Sequence, residues 1–151
     1  MIILVIEMQI SRSEARCKAM TILYQIFLYK KNNINFNVDD IIKEQVEIEN
    51  DFINDLVNGV LDKQIPIDEY ANKYLGTWPI DRLGFTDQAI LRIAIYELLY
   101  TETPDLVCIN EAIELSKKYS DEKVSAMING VLDKIYHERL QWKMNILQLG
   151  N

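Results

Sequence analysis

Five glycines and three prolines in 151 residues leave this chain few places to turn. A sandwich or barrel of many short strands needs turn residues at frequent, regular intervals, and that supply is missing. Long regular elements must therefore dominate, which points to helices. The balance of 49% hydrophobic and 26% charged residues belongs to a globular chain able to bury a core, not to a disordered one. Its length suits one domain or two small halves sharing a core.

Charge is spread unevenly. The formal net charge is −7, yet residues 1–31 carry Arg12, Arg16, Lys18, Lys30 and Lys31 against only Glu7 and Glu14, which leaves −10 on the remainder. A basic leading segment on an acidic body can meet phosphate locally while the body repels nucleic acid or recruits basic partners. The apolar run Ile2 to Ile6 is far short of a membrane span, and no basic stretch precedes it as in a signal peptide. The expected setting is the cytoplasm, with no membrane contact. Cys17 and Cys108 are far apart and in no C-x-x-C spacing, so two buried thiols are expected rather than a disulfide or zinc site.

The chain divides into an extension over residues 1–10, a first helical half over 11–76 and a second over 77–151. Ile2 to Ile6 reads as a short strand, a loose extension or the product of an upstream start, with Met8 an alternative start. Ser11-x-x-Glu14 has the spacing of a capping box, and Ala15, Ala19, Ile22, Leu23 and Ile26 form one helical stripe behind it. Asn32 to Asn37 reads as a loop. Further helices are expected from about Val38, from about Ile48 to Lys63 ahead of Pro66, and from Asp68 to Leu75 with Gly76 as its stop. Thr86 is placed to cap a helix from Asp87 to about Tyr100, with Ile90, Ile93, Ala94 and Leu98 on its apolar side. Pro104 opens the next helix, ending near Tyr119, and Ser120 is placed to cap a last one running past His137 toward Leu147. No segment alternates like a strand. The expected class is all-α.

One hexamer occurs twice. Asn58-Gly59-Val60-Leu61-Asp62-Lys63 recurs as Asn129-Gly130-Val131-Leu132-Asp133-Lys134, each copy behind an apolar pair. Glycine inside a helix costs about 1 kcal/mol relative to alanine, so both copies are expected at close helix–helix contacts. Catalytic patterns are absent from the sequence: His137 is the one histidine, no glycine-rich phosphate loop exists, and no metal-ligand spacing occurs. No cofactor or enzymatic activity is expected.

Four segments, in order, resemble the NusB family of bacterial transcription antitermination factors. They are Ala15-Arg16 through Leu23-Tyr24, the run Asp87 to Leu98 (D-Q-A-I-L-R-I-A-I-Y-E-L), Pro104 with Val107 to Lys117 (V-C-I-N-E-A-I-E-L-S-K), and Ile128 to Asp133. With their spacing they cover roughly residues 11–136. The resemblance implies two small helical subdomains packed into one compact domain that acts without catalysis. It also implies binding of boxA RNA together with NusE, a small-subunit ribosomal protein, within the RNA polymerase antitermination complex.

Carried onto this sequence, the resemblance implies RNA contacts at Arg12, Arg16, Lys117, Lys118, Lys123, Met127 and Asn129. Two arginines at a helix start suit phosphate, and the three lysines offer a second cluster. Met127 stands where the family commonly has a phenylalanine able to stack on a base. The NusE surface carries over as Tyr24, Asp81 and Asp87, an aromatic and carboxylates suited to a basic partner. Arg92, Tyr96 and Glu111 read first as structural groups between helices. The rival reading is a helical protein-interaction module without RNA affinity. A third, the leading domain of an RNA methyltransferase, is disfavoured because nothing after the helical unit could bind a methyl donor.

Overall fold

A computed structural model describes residues 10–76 and 78–150. The expectations for Ile2 to Ile6 and for a start at Met8 lie outside the described residues. Among the described residues the order is α1 (Arg12–Lys31), α2 (Val38–Gln45), α3 (Asp51–Asp62), α4 (Gln64–Leu75), a 3-10 turn (Ile80–Arg82), α5 (Phe85–Tyr100), α6 (Asp105–Tyr119) and α7 (Glu122–Leu149). The class is all-α, as the shortage of turn residues requires. None of these helices is long and apolar enough to cross a membrane.

Helix starts follow side-chain chemistry. Ser11 Oγ accepts from the Glu14 amide at 3.1 Å, Asn37 Oδ1 from Asp40 at 3.1 Å, Asn50 Oδ1 from Ile53 at 2.9 Å and Asp121 Oδ1 from Val124 at 2.8 Å. Each satisfies one amide that the helix itself leaves unpaired. Three boundaries differ from expectation. Gly84, not Thr86, precedes α5, which therefore opens two residues early at Phe85. Asp121 caps α7 because the Ser120 hydroxyl is turned away to donate to Asp87. Pro66 does not separate two helices: α4 begins at Gln64, and Pro66 sits in its first turn, where a missing N–H removes no internal hydrogen bond. Gly76 does stop α4, in the left-handed region at φ 75°.

Helix α5 is the axis of the molecule. Every residue from Gln88 to Leu98 is buried, so the helix is enclosed all round and not amphipathic as its apolar stripe suggests. It packs against α1, α3, α4, α6 and α7. One apolar cluster runs from Ala15 to Ile135 through both halves of the chain. The second half of α7 is tied from outside by polar contacts. Tyr70 Oη and Lys73 Nζ donate to Glu138 at 3.1 Å each, and Arg139 Nε and Lys143 Nζ reach Asp105 Oδ2 at 3.1 and 3.4 Å. Burial pushes the Asp105 carboxyl up, but Arg139 and Lys143 outweigh it and hold the group below its ordinary value. This clasp is complete at neutral pH and weakens as pH falls through that lowered value.

The repeated hexamer lies in α3 and α7, and the two copies serve different ends. A Cβ on Gly59 would stand 2.1 Å from Tyr96 Cζ, inside the ring's van der Waals radius, so this glycine does mark a close crossing. A Cβ on Gly130 would meet nothing within 4 Å. The expected packing role holds for the first copy and fails for the second. Gly59→Ala must displace the buried Tyr96 ring, whose hydroxyl donates to Asp55 at 3.1 Å. Overpacking of about 1–3 kcal/mol, set against a helix-propensity gain near 1 kcal/mol, should leave Gly59→Ala up to about 2 kcal/mol less stable than the parent in urea unfolding. Gly130→Ala should be more stable than the parent by up to about 1 kcal/mol.

Candidate functional site

The first turns of α1 separate two arginines that the sequence presents as a pair. Arg12 is exposed, its guanidinium 4.4 Å from the Phe52 ring centre. Arg16, one turn on, faces the core at 3% exposure. Its Nε and Nη2 each donate to a Glu97 carboxylate oxygen at 2.8 Å, and Glu97 is itself only 1% exposed. Burial works against the Arg16 charge, but the hydrogen bonds and charge of Glu97 prevail and raise its pKa further. Thr103 Oγ1 adds a bond to Glu97 at 3.2 Å, joining α1, α5 and the loop before α6. The expectation that Arg16 grips phosphate is corrected: its guanidinium is buried and held by Glu97, with Glu111 3.9 Å from Nη1.

The expected lysine cluster also divides. Lys117 and Lys118 are exposed beside Cys17, Lys18 and Thr21, lining a groove of about 590 Å³ between α1 and α6. Lys18 also lines the next groove, which holds Arg12, so Arg12 and Lys18 of α1 and Lys117 and Lys118 of α6 form a strip of cations across two adjoining grooves, set among Glu14, Glu111 and Glu114 in the first and Glu47, Glu49 and Asp51 in the second. Glu114 pairs with Lys117 at 3.7 Å between exposed side chains, a contact that solvent screens. Lys18 was visible in the sequence as charge but not as part of the strip. What brings it there is the packing of α1 on α6, which no local pattern announces.

Lys123 and Met127 lie elsewhere, in a groove of about 970 Å³. The other walls include Lys30 and Lys31 at the end of α1, and Trp78, Asp81 and Arg82 before α5. Trp78 is 53% exposed with the Arg82 guanidinium 5.5 Å from its ring. Asn129 is exposed on α7. The partner residues converge on the same side. Tyr24 is 42% exposed and meets the Phe85 ring edge-on at 6.0 Å, and Lys31 Nζ stands 5.5 Å from that ring. Asp81 is exposed, whereas Asp87 is half-buried and accepts a hydrogen bond from Ser120, tying the start of α5 to the end of α6. Trp78, Arg82, Phe85, Lys30 and Lys31 are groove residues that sequence reasoning missed. The composition signal was present in the basic excess of residues 1–31.

Three residues read as structural are structural in place. Arg92 is buried, donates to both Asp68 oxygens at 2.8 and 2.9 Å and to Gln88 at 2.8 Å, and covers the Phe27 ring. Tyr96 is held by Asp55, with burial first and that bond second pushing its hydroxyl up to about 12. Glu111 accepts from Ser13 at 2.8 Å. Cys108 is buried, and burial pushes its thiol up to about 12, so it stays protonated and unreactive at neutral pH. Cys17 is only half-buried, against expectation, with its sulfur 3.3 Å from the Tyr119 hydroxyl. Among the described residues no three His, Cys, Asp or Glu side chains gather as a metal site would require.

The helical body thus carries Arg12, Lys18, Lys117 and Lys118 in two grooves along the first half of α1 and an aromatic, carboxylate-edged groove at the end of that helix. The comparisons give the family. The NusB family model matches residues 13–137. The chain is similar to the NusB transcription antitermination protein of Macrococcus caseolyticus (strain JCSC5402), at 40% identity over 127 residues, 83% of this chain and 95% of that protein. It is 50% identical over 105 residues to the NusB protein of Lactococcus lactis subsp. lactis (strain IL1403), covering 68% of this chain and 54%, about half, of that relative. Among solved structures, it resembles a chain in the crystal structure of antitermination factors NusB and NusE in complex with dsRNA, with TM-score 0.71, 31% identity, and 84% of this chain and 96% of that chain covered. The chain belongs to the NusB family.

The Arg16–Glu97 pair yields a direct test. Removing one partner of a buried pair strands the other charge, so Arg16→Ala should cost about 3–5 kcal/mol in chemical denaturation. Arg12→Ala, at the surface, should stay within about 0.5 kcal/mol of the parent.

Proposed function

We propose that this chain is a transcription antitermination factor of the NusB type, binding boxA-type RNA jointly with NusE in the antitermination complex of RNA polymerase, in the cytoplasm. The observation that carries this reading is the cation strip Arg12, Lys18, Lys117 and Lys118 on a chain whose net charge is −7. Membership of the family, and the RNA and NusE in the related complex, support it. The protein works by holding its partners, without catalysis and without a cofactor.

RNA phosphates follow the strip, and Asn129 contacts the chain as it passes α7. NusE docks on Tyr24, Asp81 and the aromatic groove, with Asp87 setting the pose of α5 beneath it. Lys123 and Met127 lie where the two surfaces adjoin, because they share the groove with Asp81 and Trp78. Met127 supplies a polarisable thioether against a base in place of an aromatic ring. RNA crossing this edge touches both proteins, which makes binding cooperative. The rival, a protein-binding module without RNA affinity, draws support from the withdrawal of Arg16 into the core.

Titrating boxA RNA into the protein with and without NusE separates the two. Affinity should be modest alone and rise roughly tenfold with NusE, about 1.4 kcal/mol of coupling. Equal affinities would remove the cooperative adaptor, and no RNA binding in either case would leave the protein module. In the same assay Arg12→Ala should weaken boxA and scrambled RNA alike and flatten the log affinity against log salt slope by about 0.7. Asp81→Lys should weaken NusE binding about tenfold or more by calorimetry while leaving thermal stability unchanged.

A further inference from the structure

The groove of about 970 Å³ concentrates positive charge on a chain whose net charge is −7. Lys30 and Lys31 at the end of α1, Arg82 of the 3-10 turn and Lys123 of α7 line it and are exposed. Asp81 is the one carboxylate among its described lining residues. None of the four cations forms an ion pair among the described residues. The strip on the first half of α1 differs, since its cations stand among carboxylates and Lys117 is paired with Glu114.

The same groove offers a flat ring and a spare acceptor. Trp78 is 53% exposed, and the Arg82 guanidinium 5.5 Å from its ring steadies it by a cation–π contact. Met127 adds a half-buried thioether to the lining. Gln64 of α4, also in the lining and half-buried, has its Oε1 shut off from water with no donor among the described residues. A buried acceptor in that state is satisfied when the amide turns toward an N–H.

We propose that this groove is a binding site for a free nucleoside di- or triphosphate. The base stacks on Trp78 with Met127 beside it, an N–H of the base edge meets the Gln64 amide oxygen, and the phosphates lie among Lys30, Lys31 and Lys123. The volume is that of a small-molecule site, and a ring joined to a polyanion matches an exposed indole among cations. A basic partner gains nothing from four cations, so NusE keeps Tyr24, Phe85 and Asp81. An RNA strand held at Lys18 is about 18 Å from Lys30, twelve residues further along α1. Where RNA crosses at Lys123 in the function proposed above, a bound nucleotide stands in its way and the two exclude each other. That exclusion rests on the proposed RNA path; the nucleotide site does not.

Calorimetry on the full chain with ADP, adenosine and pyrophosphate tests this. Tryptophan emission of Trp142→Phe gives a second reading, since Trp78 is then the one indole left. ADP should bind and quench that emission, while adenosine and pyrophosphate should each bind at least tenfold more weakly. Trp78→Ala should weaken ADP about five- to hundredfold by removing the stack. Lys31→Ala with Lys123→Ala should weaken it roughly tenfold or more. Lys43→Ala with Lys134→Ala, exposed lysines outside the groove, should leave it unchanged, all variants keeping the parent's circular dichroism. No ADP binding, pyrophosphate as tight as ADP, equal losses from the two lysine pairs, or a Trp78-dependent contact with an adenylate trinucleotide but none with ADP would each overturn the proposal. RNA of boxA type and NusE are absent from these titrations, so their result stands apart from that of the boxA assay.

Discussion

A helix buried on every side has to satisfy its polar groups from its neighbours, and α5 carries three that matter: Gln88, Arg92 and Glu97. An uncompensated charge at those depths costs several kcal/mol, so the partners are compulsory once the helix is enclosed. Glu97 takes the Arg16 fork from α1, and Arg92 takes the two Asp68 oxygens from α4. Two bidentate pairs little more than one turn apart on one helix fix the rotation and height of both neighbours. Apolar packing alone would tolerate a slip of either helix; forked charge pairs do not.

The same constraint decides which charges remain for function. Arg16 and Arg92 are both withdrawn from the surface, so the cation strip is made of Arg12 and lysines. A lysine is a flexible, hydrated point charge, whereas arginine offers a rigid fork. A strip made chiefly of lysine tracks a phosphate backbone without fixing the orientation of any one phosphate. In the proposed function, base discrimination falls to Met127 in the groove, to Asn129 exposed elsewhere on α7, and to the partner.

How far the sequence disclosed this depends on the range over which each feature is set. The all-α class, the Ser11 cap, the stop at Gly76 and the start at Pro104 are local and were legible. The enclosure of α5 was not, because a stripe of Ile90, Ile93, Ala94 and Leu98 looks the same whether the other side meets water or another helix. Arg16 was misread for a related reason. An arginine one turn into a basic helix resembles a phosphate ligand until the carboxylate 81 residues away is brought against it. Gly59 and Gly130 stand in identical hexamers, and only the ring of Tyr96 distinguishes them. Ser120 was read as the cap of α7, and Asp121 takes that place. The choice followed from Asp87, which needed a donor across the α5–α6 contact.

Charge distribution also orders the events at the proposed interface. The acidic remainder of the chain opposes an approaching RNA over about 8 Å at physiological salt, a distance comparable with the width of a helix. The cation strip lies within that range of Glu14, Glu111 and Glu114, which share its groove. A basic protein seated on Asp81 reverses the sign of the field at the adjoining edge, where Lys123 already stands. RNA then meets a positive surface continuous from the partner across Lys123. The coupling between the two ligands needs no conformational change in the helical body. It arises because one ligand cancels the repulsion that the other must overcome, and it should therefore shrink as salt rises.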